Sequence, residues 1–336
     1  MLELCTTNAL AYLRDKGWIS PGPASVEALS WGVSNAVLRV ITPEQTFILK
    51  QSRPQLRTRD PWFSDINRVF REQEVMQVLH PLLPEQTVPL VLFSDRENYV
   101  FAMSHAPADA RVWKESLLAG AIDLEIGKHA GRILGKIHEA TARDPALVEP
   151  FRDHTAFVQL RVDPFYRRIQ DRRPEVAAEV QPIIERMLSV KEALCHGDYS
   201  PKNILTHGQA FTLVDYETAH LGDPTMDLGF FLSHLMLKAA RHSAFRRQYF
   251  ELTRAFWSGY EEEVRFRPVA ELETHGIEHF AVCALARIDG TSPVDYLPEE
   301  PKREAVRQLG RRILKERPAR WEDALCVCEA CYSTLA

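Results

Sequence analysis

Two carboxylates and one amide lie at short, fixed spacings in the segment CHGDYSPKNIL and in the hairpin that follows it. Asp198 and Asn203 are five residues apart, and Asp215 comes near the end of NILTHGQAFTLVDYE, which predicts two short strands about a glycine-containing turn. A strand, a loop and a hairpin in this order would gather the three side chains at one edge. A buried strand gains nothing from such polar residues, so their presence indicates a functional site.

These residue types suit phosphoryl transfer. The reaction needs one carboxylate to orient a hydroxyl and accept its proton, and oxygen ligands to hold Mg²⁺ against the phosphates of ATP. Asp198 fits the first role. Asn203 and Asp215 fit the second, because Mg²⁺ prefers hard oxygen ligands and binds through one or two carboxylates plus substrate phosphates.

The elements that position these residues are mainly strands in the first hundred residues and mainly helices after them. Residues 35–50 predict a β-hairpin, residues 88–103 predict two further strands, and residues 64–80 predict a helix with Ser64 as a possible cap. After about residue 105 helical periodicity dominates. Helices are predicted within 123–141, 244–264, 273–287 and 301–316.

This pattern predicts an α+β fold of two lobes. Residues 1–104 would form a small β-rich lobe that binds nucleotide, and residues 105–336 a larger helical lobe for catalysis and acceptor binding. The segment MSHAPADA reads as a short hinge, so the lobes should share a cleft.

Composition excludes several other classes of protein. The 336 residues carry a formal net charge of −5 without long single-sign blocks, which argues against a nucleic-acid partner. The apolar segment 228–240 is shorter than the roughly 20 residues of a spanning helix, and the start lacks the features of a secretory signal. We therefore expect a cytoplasmic protein. Cys326, Cys328 and Cys331 lack a companion cluster for a zinc site and fit a terminal helix.

Three motifs in order resemble one enzyme superfamily. HGDYSPKN resembles the catalytic loop of the aminoglycoside phosphotransferase and choline kinase superfamily, VDYE resembles its metal-binding segment, and GDPTMDL resembles the motif after it. KQSRPQLRTRDPWFSDINRVFREQE is more loosely similar to methylthioribose kinase. The resemblance implies a protein-kinase-like fold and transfer of phosphate from ATP to a small-molecule hydroxyl, on an aminoglycoside-like, sugar or amino alcohol acceptor.

The resemblance also implies a nucleotide site in the first lobe. Lys50 would contact the α and β phosphates, and Glu72 would pair with Lys50, although Glu74 is an alternative. The other implied nucleotide contacts are the loop residues Gly32, Ser34 and Asn35 and the hinge residues Met103 and His105. Glu217 would be a second metal ligand or a surface carboxylate.

Structural or acceptor-binding roles are predicted for one residue of the catalytic loop and for four residues that follow it. His196 would anchor the loop, Asp227 would brace its backbone, and Asp223 would cap a helix that begins near Thr225. Arg287 and Asp289 would line the acceptor pocket or form an internal salt bridge. The run Glu261 to Glu263 is typical of a solvated face.

Rival functions remain open from the sequence. A nucleotide-binding pseudokinase or regulatory scaffold would keep the fold without turnover, and a methylthioribose-type sugar kinase is a further alternative. A protein kinase is disfavoured because only a few residues separate DYE from GDP. A metal hydrolase is disfavoured because the 12 histidines show no metal-ligand spacing.

Overall fold

The chain folds into two compact units. The computed structural model describes residues 2–29, 35–56 and 62–335. One unit comprises Met1–Ala110 together with Thr212–Thr218, and the other comprises Arg111–Phe211 and Ala219–Ala336. The roles of the two expected lobes, divided at residues 104 and 105, stay a prediction.

The first unit contains an antiparallel sheet of five strands. Its elements are α1 (Ala9–Asp15), β1 (Ser25–Ala28), β2 (Asn35–Ile41), β3 (Thr46–Ser52), α2 (Arg68–Leu79), β4 (Val91–Asp95) and β5 (Val100–Ser104), with strand order β1-β2-β3-β5-β4. The predicted hairpin over 35–50 and the strand pair within 88–103 are confirmed. Helix α2 begins later than predicted, since Asp65 accepts the Asn67 N–H at 2.9 Å in a turn and Asn67, not Ser64, precedes the helix.

Alternation along β3 determines which side chains meet α2. Phe47 and Leu49 point into an apolar core with Leu38, Val40 and their neighbours. Lys50 is one residue out of phase with them, so its side chain emerges on the opposite face of the sheet. Both faces of β3 are covered, and Phe47 to Ser52 are all buried. Because the pleat of β3 buries the charged Lys50 side chain, the fold requires carboxylate groups beside it.

The second unit is mainly helical. Its helices are α3 (Trp113–Leu118), α4 (Leu124–Arg143), α5 (Thr155–Phe157), a π-helix (Val158–Arg167), α6 (Arg168–Arg172), α7 (Ala177–Ser189), α8 (Thr225–Arg241), α9 (Arg246–Glu263), α10 (Val269–Asp289), α11 (Glu300–Glu316) and α12 (Trp321–Tyr332). Its strands are β6 (Arg111–Val112), β7 (Ala193–Cys195), β8 (Ile204–His207), the start of β9 (Ala210–Leu213) and β10 (His220–Gly222). The predicted helices are confirmed, and α12 carries Cys326, Cys328 and Cys331 as free thiols.

Helices α4 and α9 approach each other at glycines. A Cβ added to Gly131 would lie 1.9 Å from the carbonyl oxygen of Phe256, and one added to Gly259 would lie 2.0 Å from that of Lys128. Neither distance is sterically possible, so the two backbones pack as closely as they do only because both positions lack a side chain.

Within the described residues, no helix combines the length and apolar character that crossing a bilayer requires. The cytoplasmic location stays a prediction from the sequence.

Candidate active site

The loop between β7 and β8 is held from below by Asp227, in the first turn of α8. The backbone N–H groups of His196 and Gly197 donate to the two oxygens of Asp227 at 2.6 and 2.8 Å. Gly197 has a φ of 75°, which glycine adopts without steric cost. His196 in turn accepts the Asp198 N–H at its Nδ1, at 3.2 Å. The loop conformation thus depends on a buried carboxylate and a histidine that both bond to backbone.

Asp227 is completely buried, and its neighbours keep its carboxylate charged. Burial raises the pKa of Asp227, but His138, whose Nε2 lies 3.4 Å away, and His196 more than offset this, so its pKa is below the usual value. His138 is itself fixed by the Tyr260 hydroxyl at 2.9 Å. Asp227 therefore has a structural role.

Asp198 is oriented by three donors that converge on one oxygen. Its Oδ2 lies 2.9 Å from Arg161 Nη2, 2.9 Å from Asn203 Nδ2 and 3.2 Å from Lys202 Nζ. The Asn203 amide also donates to the Asp198 backbone carbonyl at 2.9 Å. The structure therefore brings Asp198 and Asn203 together, as their spacing predicted, and fixes the carboxylate with 6% of the residue exposed.

Lys50 lies among carboxylates of the first unit. Its Nζ is 2.5 Å from Glu72 Oε2 and 2.7 Å from Asp215 Oδ1. Glu72 is 0% exposed, whereas Glu74 is on the surface and pairs with Arg96. Of the two acids that the sequence offered, Glu72 is the partner of Lys50.

Charge and burial act against each other at this pair. Burial lowers the pKa of Lys50, but Asp215, Glu72 and Glu217 outweigh burial and raise it above the ordinary value, so the ammonium stays charged. For Glu72 burial raises the pKa and Lys50 lowers it, and the net direction is upward. The upward direction of the Glu72 pKa arises first from burial, and the neighbouring carboxylates Asp215 and Glu217 add to it.

Glu217 is also engaged in the first unit. Its Oε2 accepts from Asn35 Nδ2 at 2.7 Å and from Arg68 Nε at 3.1 Å. Arg68 is 2% exposed and also donates to the backbone carbonyls of Ser64, Asp65 and Arg53. Asp215 has a φ of 74°, a left-handed conformation that aspartate tolerates better than most side chains. Asp215 and Glu217 are thus held in place by basic and amide groups.

Asp223 and Asp289 both belong to ion-pair networks. Asp223 accepts the Thr225 N–H at 3.2 Å, at the start of α8, and lies 3.2 Å from Arg267. Burial raises the pKa of Asp223, and His279 and Arg267 lower it to a net value below the usual one. Asp289 lies 2.7 Å from Arg173 and 3.0 Å from Arg307, the internal salt bridge that the sequence left as an alternative.

The remaining predicted residues lie as follows. Met103 is in β5, paired with Ile48 and Val91, and His105 follows the end of that strand. Arg287 is on α10 and donates to the carbonyl of Ser292 at 2.6 Å. Gly32 and Ser34 lie outside the described residues, whereas Asn35 opens β2.

No group of three or more His, Cys, Asp or Glu that could hold a metal occurs in the part of the chain that the structure describes. The predicted metal ligands are two carboxylates and an amide, and a set of this kind is completed by phosphate oxygens. Their donor atoms are all hard oxygens, which fits Mg²⁺ and not a soft metal.

Sequence reasoning missed two buried arginines. Arg161 contacts Asp198 from the π-helix, and Arg68 contacts Glu217 from α2. Arg161 lies in none of the quoted motifs, and Arg68 lies in the quoted segment 50–74 without an assigned role. Arg68 lies on a predicted helix, at a position that apolar periodicity would assign to the core. A basic residue at a core position of a helix indicates a buried acidic partner, and this was the available signal.

Known proteins resemble this chain in sequence and in fold. Residues 25–267 match the phosphotransferase enzyme family, APH. A methylthioribose kinase from Bacillus cereus is 24% identical over 269 residues, covering 70% of this chain and 67% of that protein. A candidate aminoglycoside phosphotransferase from Ralstonia eutropha has a TM-score of 0.53 at 19% identity, covering 95% of this chain and 98% of its own. A choline/ethanolamine kinase family protein from Mesorhizobium loti has a TM-score of 0.52 at 21% identity, covering 96% and 99%.

The chain therefore belongs to the phosphotransferase enzyme family. Its class is that of small-molecule kinases, with a protein-kinase-like fold that has a β-rich amino-terminal part and a helical remainder. The resemblance to aminoglycoside phosphotransferases, choline kinases and, more loosely, methylthioribose kinase is confirmed.

Proposed function

We propose that this protein transfers the γ-phosphate of ATP, with Mg²⁺, to a hydroxyl group of a small molecule, and that Asp198 is the catalytic base. The observation that carries the proposal is the Asp198 carboxylate, which is held on one oxygen by Arg161, Lys202 and Asn203. A carboxylate fixed in this way can accept a proton from a hydroxyl at a defined place.

The chemistry is a single displacement. The acceptor oxygen forms a bond to the γ-phosphorus, the bond from that phosphorus to the ADP oxygen breaks, and the hydroxyl proton passes to Asp198. Arg161 and Asn203 position the carboxylate. Since phosphoryl transfer leaves little covalent work to the protein, positioning of this kind accounts for much of the expected rate.

The nucleotide contacts are proposed from the first unit. Lys50, held by Glu72, would bind the α and β phosphates. Asn35 with Gly32 and Ser34 would cover the phosphates, and the backbone from Met103 to His105 would meet adenine. Asn203, Asp215 and Glu217 are proposed as Mg²⁺ ligands, and the ion, when bound, would neutralise charge on the phosphates.

A methylthioribose-type sugar kinase is the second candidate. The methylthioribose kinase of Bacillus cereus favours it, at 24% identity over 269 residues. Asn203 weighs against it, since HGDYSPKN keeps the Asn of the aminoglycoside-type catalytic loop that it resembles.

The test is phosphate transfer from ATP and Mg²⁺ to a panel of aminoglycosides, methylthioribose and other sugars, choline, homoserine and macrolides, with Asp198→Asn as the control. We expect transfer to at least one acceptor and its loss in the variant. Transfer that persists in Asp198→Asn would remove the catalytic base from the proposal. ATP binding without transfer to any acceptor would support the pseudokinase.

A further inference from the structure

Basic side chains of the second unit lie near Asp198 or near His234. We call this group the basic cluster, and it comprises Lys114, Arg161, Lys202, Lys238 and Arg287. Arg161 and Lys202 contact the Asp198 carboxylate at 2.9 and 3.2 Å. The other three lack that contact, and they are the unusual part of the cluster.

The members of the basic cluster share aromatic neighbours. The guanidinium groups of Arg161 and Arg287 lie 5.7 and 5.8 Å from the ring centre of Phe165. The ammonium groups of Lys114 and Lys238 each lie 5.5 Å from the ring centre of Tyr296. Two rings therefore gather four cations that come from α3, the π-helix, α8 and α10.

Lys238 is the most deeply buried member. It is 1% exposed, and its Nζ donates to the carbonyl of His234 at 3.0 Å. Burial, together with the nearby charges of Lys114 and Arg287, lowers the pKa of Lys238 to about 7. Burial and the same cations also hold the pKa of His234 well below its usual value. These groups are close enough to repel one another.

The positive charge is not balanced by the protein. Among the residues that the structure describes, Lys114, Lys238 and Arg287 form no ion pair, and Arg287 Nε is buried without a hydrogen-bond partner. Asp295 acts on Arg287 only at a distance. Lys238 is the buried member of these three, whereas Lys114 and Arg287 are partly exposed. Keeping Lys238 charged in this position is unfavourable unless an anion binds beside it.

We infer that the acceptor carries, besides the hydroxyl that is phosphorylated, a negatively charged group, a carboxylate or a phosphate, which the basic cluster binds. This inference rests on the proposed function. Arginine offers a planar pair of donors and lysine a point charge, and both bind such anions. A cationic acceptor such as an aminoglycoside or choline would instead be repelled.

The inference is tested with matched acceptor pairs, each with and without the anion: glycerate against glycerol, and ribose 5-phosphate against ribose, with choline as a cationic acceptor. We expect kcat/KM to be at least tenfold higher for an anionic member than for its neutral partner. The two pairs distinguish a carboxylate from a phosphate. Equal or better transfer to a neutral or cationic member would overturn the inference while leaving the proposed kinase activity intact.

A variant links the preference to the cluster. Lys238→Met should raise KM for the anionic acceptor at least tenfold, leave KM for ATP unchanged, and leave Tm equal or higher. Lys315→Met, the same substitution at an exposed lysine of α11, is the control and should change none of these. A purely structural Lys238 would shift Tm without changing the preference for the anion, and that result would contradict the inference.

A binding measurement makes the test independent of turnover. Glycerate and ribose 5-phosphate are titrated into the protein with Mg²⁺ and a non-hydrolysable ATP analogue, with glycerol and ribose as references. Binding of an anionic probe that Lys238→Met weakens supports the inference even if no transfer occurs. Absence of binding by both anionic probes, or equal binding by the variant, would overturn it.

Discussion

The two units contain buried polar clusters of opposite charge balance. In the first unit the described ion pairs join three carboxylates, Glu72, Asp215 and Glu217, to two basic residues, Lys50 and Arg68. In the second unit the basic cluster faces Asp198, so cations are in excess. Burial makes either imbalance costly, because the protein interior solvates charge poorly.

The difference indicates what each cluster binds. An excess of carboxylates with oxygen donors suits a divalent cation. An excess of arginine and lysine suits an anion. Under the two proposals made above, the ligands of the two units carry opposite charges.

The largest expected effect is on catalysis in the second unit. Asp198→Asn should lower kcat by roughly 10²- to 10⁴-fold, the contribution typical of a general base. The amide keeps the shape of the side chain, so the affinity for Mg-ATP should change little. Steady-state kinetics and calorimetry together check this, and a kcat within threefold of wild type would contradict the assignment.

The next largest expected effect is a loss of stability when Lys50, the buried cation of the first unit, is replaced. Lys50→Met leaves the buried Glu72 carboxylate without its cation, and the free energy of unfolding should fall by roughly 3–5 kcal/mol. Lys50→Met/Glu72→Gln should recover part of that loss, because the uncompensated charge is gone. Urea unfolding of the single and double variants measures both. A double variant no more stable than the single one would show that the pair is not the source of the loss.

Asp215→Asn tests whether Asp215 is a ligand of Mg²⁺. Asparagine tolerates the φ of 74° at this position, so the fold should persist. The affinity for Mg-ATP should fall about tenfold, which is 1.4 kcal/mol, while the affinity for ATP without Mg²⁺ should change less. Equal losses with and without Mg²⁺ would mean that Asp215 acts through Lys50 and not as a ligand.

The basic cluster should give stability a distinctive pH dependence. The pKa of Lys238 is about 7 in the folded protein, against about 10.4 for a lysine in the unfolded chain. Between these values the unfolded state binds more protons, so the free energy of unfolding should rise with pH from 7 to 10, by up to about 1.4 kcal/mol per pH unit. Lys114, Arg287, His234 and Tyr296 surround this group.

The measurement is chemical unfolding at several pH values in wild type and Lys238→Met. The variant should lose the rise between pH 7 and 10, and Lys315→Met should retain it. An unchanged slope in Lys238→Met would assign the pH dependence to another group.

The smallest expected effect distinguishes the two residues that the sequence offered for the acceptor pocket, Arg287 and Asp289. Asp289→Asn should lower the free energy of unfolding by roughly 1 kcal/mol, because Asp289 pairs with Arg173 and Arg307. It should leave KM for the acceptor unchanged, whereas Arg287→Met should raise it. A rise in acceptor KM for Asp289→Asn would return that residue to the pocket.

The parts that the sequence predicted are those with local signals. The loop from His196 to Asn203 and the hairpin after it lie in one continuous segment, so spacing alone brings Asp198 and Asn203 together. The pairing of Lys50 with Glu72 was implied by the family resemblance, which left Glu74 as an alternative, and the pleat of β3 and the burial of Glu72 on α2 account for it physically. Short strands such as β1, β7 and β10 have too few residues for a pattern, and they were not predicted.

The basic cluster could not be predicted for a different reason. Lys114, Arg161, Lys238 and Arg287 come from four separate helices, and no spacing in the sequence relates them. In the apolar segment 228–240, Lys238 reads as a basic residue in the last turn of a helix, which favours the helix end in any protein. Only packing shows that this lysine is buried and that, among the described residues, it forms no ion pair.

The glycine contact between α4 and α9 has a consequence for the loop around Asp198. α4 carries His138 and α9 carries Tyr260, which bond at 2.9 Å, and His138 contacts the Asp227 that holds the catalytic loop. A side chain at Gly131 or Gly259 would push the helices apart and displace this relay. A substitution at either glycine is therefore expected to disturb the loop around Asp198 through the packing of two helices.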